Sequence, residues 1–251
     1  MMDKRNTIAK NIARYFNDGD LVNLGIGIPT QSANYLREGV HITLHSESGF
    51  VGQIGMIPGV SKNEQIETEE DFFKETAKYD DYENGWKVGH KDLCDATGDM
   101  AILGAGAACF DSTVAFMLAR GGHLDATVLG GLQVDEEANL ANWHVPGKRM
   151  PGMGGAMDLV NGVKKVIVAM EHCTKDGAPK ILKKCTFPLT AVSCVNVLIT
   201  ELCIIEFIEG KMTVVAMAPG VTKEELQAKT EATLHFAEVI DEMDIVEEQQ
   251  G

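Results

Sequence analysis

One carboxylate stands out as the side chain best placed to do chemistry in this sequence. Residues 40–45 alternate between apolar and polar side chains, which predicts a β-strand with one face more apolar than the other. Ser46-Glu47-Ser48-Gly49 follows, so Glu47 lies just past the strand end. Ligands of open α/β sheets bind in the crevice outside the carboxyl ends of the strands. Glu47 is therefore a candidate for chemistry, and a solvated acidic turn is the alternative interpretation of this stretch alone.

Two histidines precede this carboxylate on the predicted strand. His41 and His45 are four residues apart and therefore lie on the same strand face, close to Glu47. They either orient Glu47 or simply line the crevice, and the pattern does not separate these two roles.

A glycine-rich turn follows the first predicted strand at residues 21–24. Gly25-Ile26-Gly27-Ile28-Pro29-Thr30 opens a helix that we expect to reach about Arg37. Glycines between a strand and a helix let the backbone approach a ligand, and they present free N–H groups to anionic oxygens. A tight packing turn without a ligand is the alternative.

Strands and helices alternate along the rest of the chain. The first helix presents one apolar face, made by Ile8, Ile12, Tyr15 and Phe16, and Asn6 or Thr7 can cap it. Further strands are predicted at 100–103, 126–129, 164–170, 199–207 and 213–217. This alternation predicts an α/β fold with a mostly parallel open sheet flanked by helices.

The helix starts and turns support the same division. A glycine turn at 104–108 is expected to lead into a helix near Asp111, and Thr222 with Glu225 forms a capping box for a helix to about Lys229. Residues 135–157 show little periodicity, and loops of such length in compact domains are usually functional or disordered. The apolar and aromatic residues of this segment argue against disorder.

We expect a single domain over residues 1–240 with one acidic insertion at about 61–99. The insertion holds five lysines and twelve acidic residues, with a short helix predicted at 69–79. It is either a solvated flap or a lid or partner contact beside the Glu47 turn. Residues 241–251 form an acidic tail that we expect to be frayed.

Composition excludes several classes of function. The formal net charge of -15 argues against a nucleic-acid surface, which needs a basic face. The six cysteines form no Cys-x-x-Cys pair and no zinc spacing, so we expect no metal and reduced thiols. Neither a membrane span nor a signal-peptide core is evident. A cytoplasmic protein is the expectation.

Several blocks, taken together and in order, resemble the family I coenzyme A transferases, most closely the B (beta) subunit of the 3-oxoacid and acetoacetate CoA-transferases. The blocks are Asn23-Leu24-Gly25-Ile26-Gly27-Ile28-Pro29, Ser46-Glu47-Ser48-Gly49, Arg120-Gly121-Gly122-His123, Ala141-Asn142-Trp143, Pro146-Gly147-Lys148 and Gly152-Met153-Gly154-Gly155-Ala156-Met157-Asp158. The resemblance covers nearly the whole chain apart from the acidic insertion. It implies a CoA-transferase-like fold.

The resemblance also implies a chemistry centred on Glu47. This residue matches the family's nucleophile, which forms a glutamyl-CoA thioester in a ping-pong reaction. Coenzyme A is then a co-substrate, and no permanently bound cofactor is expected. The acyl donors implied include acetyl-, butyryl-, acetoacetyl- and succinyl-CoA, with a carboxylic or 3-oxo acid as acceptor.

The family's other site positions carry over to a few residues here. The amide of Asn23 and the backbone N–H of Gly155 match donors to the glutamyl carbonyl, and Gly154 lets the backbone come close. A turn-capping asparagine and a packing glycine pair are the alternatives. A tentative substrate pocket comprises Ser48, Gly49, Phe50 and Gly27.

Three departures from the family pattern bear on the substrate more than on the reaction. Ser48 stands where asparagine is usual, Leu103-Gly104-Ala105-Gly106-Ala107 stands where Leu-Pro-Gly-Ala is usual, and the acidic insertion is lengthened. Serine lacks the side-chain amide of asparagine, so orientation of the acid could differ.

The resemblance implies a partner as well. The family pairs this type of chain with an alpha subunit, so we expect an α2β2 complex and little activity for this chain alone. An acyl-CoA hydrolase that uses the same glutamate and a non-catalytic regulatory subunit remain open, while a sugar-phosphate isomerase would not explain residues 152–158. Glu171-His172-Cys173 is interpreted as structural.

Overall fold

The computed structural model describes residues 2–57, 87–88, 93–95, 100–148, 150 and 152–248. The helix predicted at 69–79 and most of the acidic insertion lie outside the described residues. No helix within the described part of the chain is long and apolar enough to cross a bilayer.

Five α-helices are described, and most of them are short. They are α1 (Lys4–Ile12), α2 (Ile28–Gln31), α3 (Ser112–Arg120), α4 (Ala156–Leu159) and α5 (Lys223–Ala228). The capping box of Thr222 and Glu225 is confirmed at the start of α5. The cap of α1 differs from the prediction: Asp3, rather than Asn6 or Thr7, accepts a hydrogen bond from the Asn6 backbone N–H at 3.1 Å.

The helix predicted to reach Arg37 is shorter than expected. After α2 the chain tightens into a 3₁₀ turn, Ser32–Tyr35, and Leu36 is extended. The Ser32 hydroxyl donates to the Pro29 carbonyl at 2.6 Å, and such local side-chain bonds compete with a regular helix.

Fourteen strands form two sheets in the described residues. They are β1 (Leu21–Leu24), β2 (Thr43–Ser46), β3 (Phe50–Ile57), β4 (Lys87–Val88), β5 (Met100–Cys109), β6 (Ala126–Gly130), β7 (Gln133–Asp135), β8 (Leu140–Ala141), β9 (Val166–Ala169), β10 (Ile181–Leu182), β11 (Val197–Ile199), β12 (Cys203–Ile208), β13 (Lys211–Met217) and β14 (His235–Glu242). The small sheet has the order β10-β7-β8.

The large sheet confirms the α/β class. Its order is β14-β13-β12-β11-β9-β6-β1-β2-β3-β5-β4, and its five central strands, β11 to β2, run parallel. Antiparallel strands extend the sheet on both sides: β3, β5 and β4 beyond β2, and β12 and β13 beyond β11. The parallel strands therefore form the centre rather than the whole of the sheet.

Both faces of this centre are buried. On one face Val22, Val128 and Ile167 pack with residues of α1. On the other face Leu129 and Val168 belong to a second core. The alternation follows from the two-residue period of a strand, and two covered faces explain why the central strands read as continuous apolar runs.

The predicted glycine turn at 104–108 is wrong. Residues 100–109 form one continuous strand, β5, which pairs with β3. A Cβ added at Gly52 would lie 2.8 Å from the Ala107 side chain, and one at Gly104 would lie 2.8 Å from the Ile54 side chain. These glycines therefore allow close cross-strand packing at shifts in register and do not end the strand.

Two other strand predictions need correction. β2 begins at Thr43, which leaves His41 outside it, exposed, and bonded to Asp18 on the surface. The predicted run at 199–207 is the hairpin of β11 and β12, because the Thr200 hydroxyl accepts from the backbone N–H of Leu202 and of Cys203.

The tail is bound rather than frayed as far as the structure describes it. Residues 241–242 belong to β14, which pairs parallel with β13. Asn11 on α1 donates to the Asp244 carbonyl at 2.8 Å and accepts from the Asp244 N–H at 3.2 Å. Residues 249–251 lie outside the described residues.

Candidate active site

Glu47 lies on the turn between β2 and β3, where the parallel centre of the sheet ends. Gly49 closes this turn with φ near +113°, a conformation that favours glycine. A Cβ at Gly49 would lie 2.2 Å from the Phe110 carbonyl oxygen, and the Phe110 N–H donates to the Gly49 carbonyl at 2.8 Å. The turn that carries Glu47 is thus fixed against the end of β5.

The Glu47 carboxylate rests against a glycine from a distant part of the chain. A Cβ at Gly155 would lie 2.7 to 3.0 Å from the carboxylate carbon and both oxygens, so any larger residue would displace this side chain. Gly155 caps α4 and follows Gly154, whose φ is near +60°. Gly155 therefore lies beside Glu47 as predicted, and Gly154 lines the same cavity.

The electrostatic setting of Glu47 is unusual for a carboxylate. It makes no hydrogen bond or ion pair with any residue that the structure describes. Burial raises the pKa of Glu47, and the negative charge of Asp158 raises it further. A half-buried carboxylate without donors is poorly solvated, so its charged form is held at higher energy than in water.

A cavity of about 700 Å³ opens in front of Glu47. Its polar lining includes Asn23, Gln31, Asn34, Gln53 and Asn142, together with His45 and Asp95. Among the described residues, no lysine or arginine lines it. The volume suits a small organic substrate, and 700 Å³ lies within the range of about 300 to 1,000 Å³ typical of ligand pockets.

Behind the cavity, a row of buried polar side chains crosses three strands. Thr127, Asn23 and His45 are in register on β6, β1 and β2. The Thr127 hydroxyl donates to Asn23 Oδ1 at 3.3 Å, and Asn23 Nδ2 lies 3.3 Å from both His45 Nδ1 and the His45 carbonyl. The row ends where His45 Nε2 lies 3.1 Å from the Ala115 carbonyl on α3.

This row settles the state of His45. A carbonyl only accepts, so Nε2 carries the hydrogen and Nδ1 accepts from Asn23. Burial lowers the pKa of His45, so the ring is neutral near pH 7. His45 therefore lines the crevice and orients Asn23, and it brings no positive charge to Glu47.

Asn23 lines the cavity, but its amide already has partners. Both amide hydrogens are directed at His45 atoms 3.3 Å away, which is long for such bonds. To act as a donor to a glutamyl carbonyl, as predicted, Asn23 would have to release one of these two long contacts.

The four residues of the tentative substrate pocket do not line this cavity. Phe50 is buried in the strand core, and Ser48 is exposed on the turn with its backbone N–H directed to the Ser46 hydroxyl. Gly49 packs against the Phe110 backbone. Gly27 lines a neighbouring cavity of about 410 Å³, next to Arg5.

Asn142 is a site residue to which we assigned no role from the sequence. Its Nδ2 donates to the Gly130 carbonyl at 3.1 Å, and its Oδ1 accepts from the Thr190 hydroxyl at 2.6 Å. It thereby fixes the loop after β6, which forms one wall of the cavity. The Ala141-Asn142-Trp143 block was the only sequence signal for it.

Glu171-His172-Cys173 agrees with its structural interpretation. His172 is fully buried, and its ring nitrogens bond the hydroxyls of Thr200 and Thr230 at 3.0 and 2.9 Å. Within the described ranges, no cluster of three or more metal-ligating side chains is found.

Comparison with known proteins gives concordant results. The sequence profile of the family described as Coenzyme A transferase matches residues 5–229. The acetate CoA-transferase subunit beta of Escherichia coli (strain K12) is 51% identical over 236 residues, which are 94% of this chain and 95% of that one. The mitochondrial succinyl-CoA:3-ketoacid coenzyme A transferase 2A of Rattus norvegicus is 40% identical over 90% of this chain but only 39% of its own length.

Solved structures share the fold. A crystal structure of an acyl-CoA transferase apoenzyme from Escherichia coli O157:H7 aligns with a TM-score of 0.67 at 18% identity. The alignment covers 97% of this chain, which spans 44% of that longer one.

Proposed function

The chain belongs to the coenzyme A transferase family, and from this premise we propose that it transfers coenzyme A between a short-chain acyl-CoA and a carboxylic or 3-oxo acid through Glu47. The observation that carries the proposal is the Glu47 carboxylate itself. It faces a large cavity without a hydrogen-bond partner among the described residues, and Gly155 leaves room for it. A carboxylate kept so poorly solvated is a stronger nucleophile than one in water.

The proposed reaction begins with two substitutions. A Glu47 oxygen attacks the thioester carbonyl, and the C–S bond breaks. CoA departs as a thiolate, and an acyl-glutamyl anhydride is formed. The thiolate then attacks the glutamyl carbonyl, and the first acid leaves as a carboxylate. The product is a glutamyl-CoA thioester. Each step exchanges one anion for another, so no net proton and no water are consumed.

The second acid reverses the sequence. Its carboxylate attacks the glutamyl thioester and releases CoA thiolate, which attacks the new anhydride at its acyl carbonyl. Acyl-CoA leaves and the Glu47 carboxylate is regenerated. Water must be kept from these intermediates, because its attack would turn transfer into hydrolysis.

Catalysis needs placement and donors as well as a nucleophile. Holding the thioester beside Glu47 supplies proximity, and binding of the distant parts of CoA supplies the energy to do so. The Gly155 N–H and the Asn23 amide are the proposed donors to the glutamyl oxyanion. A donor of this kind is worth roughly 3 kcal/mol of transition-state stabilisation.

A second subunit is part of the proposal. The Escherichia coli relative is named a beta subunit, and the rat relative carries its matching segment within a longer chain. Beside the cavity, Ile26 and Ile54 are exposed apolar side chains that a partner would cover. We propose an alpha subunit as this partner, in an α2β2 complex. Acetate, succinate and 3-oxo acids are the first substrates to try.

Intact mass tests the covalent route. The chain, purified with its candidate alpha subunit, is incubated with acetyl-CoA or succinyl-CoA and then with borohydride. Reduction of a glutamyl thioester to an alcohol lowers the chain mass by about 14 Da, and peptide mapping locates the loss. We expect the loss at Glu47, and its prevention when the acceptor acid is added first.

The Glu47→Gln variant is the matched control and should show no loss. Absence of a mass change in an assembled complex that binds CoA would instead favour the regulatory role. Release of free CoA that does not depend on an acceptor acid would identify a hydrolase.

A further inference from the structure

Two charged residues at the edge of the site bind each other and have no role in the reaction described above. Arg120 is the last residue of α3, and Asp158 lies in α4. Arg120 Nε donates to Asp158 Oδ1 at 3.0 Å, and Arg120 Nη2 donates to the same oxygen. The two residues are 38 positions apart in the chain, and their contact joins α3 to α4.

Asp158 belongs to the same helical turn as the glycine beside Glu47. Its backbone N–H donates to the Gly155 carbonyl at 3.0 Å. Residues three apart on a helix share a face, so Asp158 lies on the side of α4 that Gly155 presents to Glu47. The charge of Asp158 is accordingly felt at Glu47, where it opposes ionisation.

A second contact holds α4 to the same end of α3. Gly162, just after α4, lies so close to the Arg120 backbone that a Cβ there would be 2.3 Å from the Arg120 carbonyl oxygen. The end of α3 therefore supports the Gly155 segment through both the backbone and the side chain of Arg120.

Arg120 also bears on the charges around Glu47. The negative charge of Asp158, on α4, acts on Glu47. His45 on β2 is neutral near pH 7, and Arg120 is the sole charged residue of α3. Among the described residues that line the cavity there is no lysine or arginine. Arg120 is bonded to Asp158 and carries the opposite charge, so it is placed to offset the charge of Asp158.

We propose that Arg120 is a positioning residue for Glu47: through Asp158 it holds the Gly155 segment against the Glu47 carboxylate and offsets the negative charge that Asp158 brings to it. The part of this inference that concerns catalysis rests on the proposed function. The part that concerns charge can be measured without any turnover.

The test is the titration of Glu47 by ¹³C NMR in the full-length chain, labelled at the glutamate carboxyl carbon, alone and with its partner subunit. The Glu47→Gln variant assigns the signal. We expect Arg120→Met to raise the pKa of Glu47 by about half a unit or more, because Asp158 is no longer offset. Asp158→Asn should lower the pKa of Glu47 by a similar amount, and added salt should reduce both shifts.

The chain offers a closely matched control pair. Lys164 and Asp125 form an ion pair of 2.7 Å whose side chains are 62% and 29% exposed, against 58% and 30% for Arg120 and Asp158. Lys164→Met should leave the titration of Glu47 within about 0.2 unit of the wild type, since this pair is not bonded to the Gly155 segment. Arg120→Lys keeps the charge but not the forked donor geometry of arginine. Compared with Arg120→Met, it should therefore bring the pKa of Glu47 closer to the wild-type value than it brings the rate of transfer.

The outcomes separate this inference from the proposed function. A higher pKa of Glu47 in Arg120→Met together with a lower one in Asp158→Asn would support this inference. If such a chain transfers no CoA, that result counts against the proposed function and not against this inference. An unshifted Glu47 titration in both variants would overturn it, whatever their activity or melting temperature. If Arg120→Met fails to fold, Arg120→Gln, which also removes the charge, is titrated in its place and should raise the pKa of Glu47 in the same way.

Discussion

Glu47 and His172 both follow a parallel strand at the same edge of the large sheet, and both are ionisable groups removed from water. They differ in their partners. Each ring nitrogen of His172 has a hydroxyl partner, from Thr200 and Thr230, whereas the Glu47 carboxylate has no partner among the described residues. One sheet edge thus holds a fully bonded buried ring and a carboxylate that faces a cavity.

The two environments have opposite energetic consequences. Burial lowers the pKa of His172 to about 4, so the ring stays neutral, and two hydrogen bonds offset its loss of hydration. Burial raises the pKa of Glu47, and no described residue bonds it to offset this, so the ionised form is destabilised. Burial thus keeps His172 uncharged with both ring nitrogens bonded, whereas at Glu47 it raises the energy of the charged form.

The sharpest test of this contrast is Glu47→Gln. We expect transfer activity of the assembled complex to fall by about 10⁴-fold or more, because no carboxylate remains to form the thioester. At pH 8 the free energy of unfolding of the Glu47→Gln variant should equal or exceed that of the wild type. A carboxyl with a raised pKa in the folded state stabilises below its unfolded pKa, and that stability is lost as the pH rises through the folded value.

Thermal melts at pH 8 and pH 4 check the stability half of this prediction. The advantage of the glutamine variant should shrink at the lower pH, where Glu47 is protonated in both states. A variant that melts well below the wild type at pH 8 would show that Glu47 is a structural group like His172.

Gly155→Ala is the next largest expected effect. The added Cβ would occupy the space of the Glu47 carboxylate, so this side chain must move. A displacement of about 1 Å at a reacting group is expected to cost about 10²-fold in turnover. Steady-state kinetics of the complex measure it, with Gly152→Ala as a neighbour whose Cβ would meet nothing within 4 Å. Because Gly152 has a positive φ, melting curves of both variants are needed to subtract backbone strain.

His172→Gln should affect stability and not chemistry. The wild type is expected to lose stability as the pH falls from about 6.5 towards 4, because the unfolded histidine binds a proton that the buried ring does not. This contribution amounts to at most about 3 kcal/mol. Glutamine can still bond the two hydroxyls but does not titrate, so the variant should show a flatter dependence of unfolding free energy on pH.

Denaturant unfolding between pH 4 and 8 measures this difference, and His235→Gln, at an exposed histidine of β14, is the control. Equal pH dependence in the wild type and the His172 variant would contradict the assignment of His172 as a buried neutral group. Turnover per folded complex should be the same in both variants at pH 8.

Much of the fold followed from the chain alone. The alternation of buried strands and helices predicted the parallel centre, and the capping box of Thr222 and Glu225 marked α5 correctly. The errors arose where local signals had two meanings. Glycines at 104 and 106 were interpreted as a turn, but in the structure they lie within β5 beside β3. A glycine pattern does not reveal whether a neighbouring strand will pack against it.

The candidate site was also predicted only in part, because local patterns do not reveal tertiary contacts. Glu47, Asn23, Gly154 and Gly155 were identified from motifs, and the structure brings them to one cavity. The tentative pocket residues near Glu47 in sequence point elsewhere, since neighbours on a turn or strand need not face the same side. Asp158 was part of a recognised block, yet its pairing with Arg120 is a tertiary contact.

The class of fold and the place of Glu47 just past a strand end could be predicted from the chain alone, because they depend on residue type and local period, while its role as nucleophile came from the resemblance to a family. The ionisation of Glu47 could be assigned only from the folded chain. Asp158 approaches Glu47 from more than 100 positions further along the chain, and the neutral His45 ring bonds the Ala115 carbonyl 70 positions away. A pKa responds to all charges and solvent within reach, and no local pattern encodes that environment.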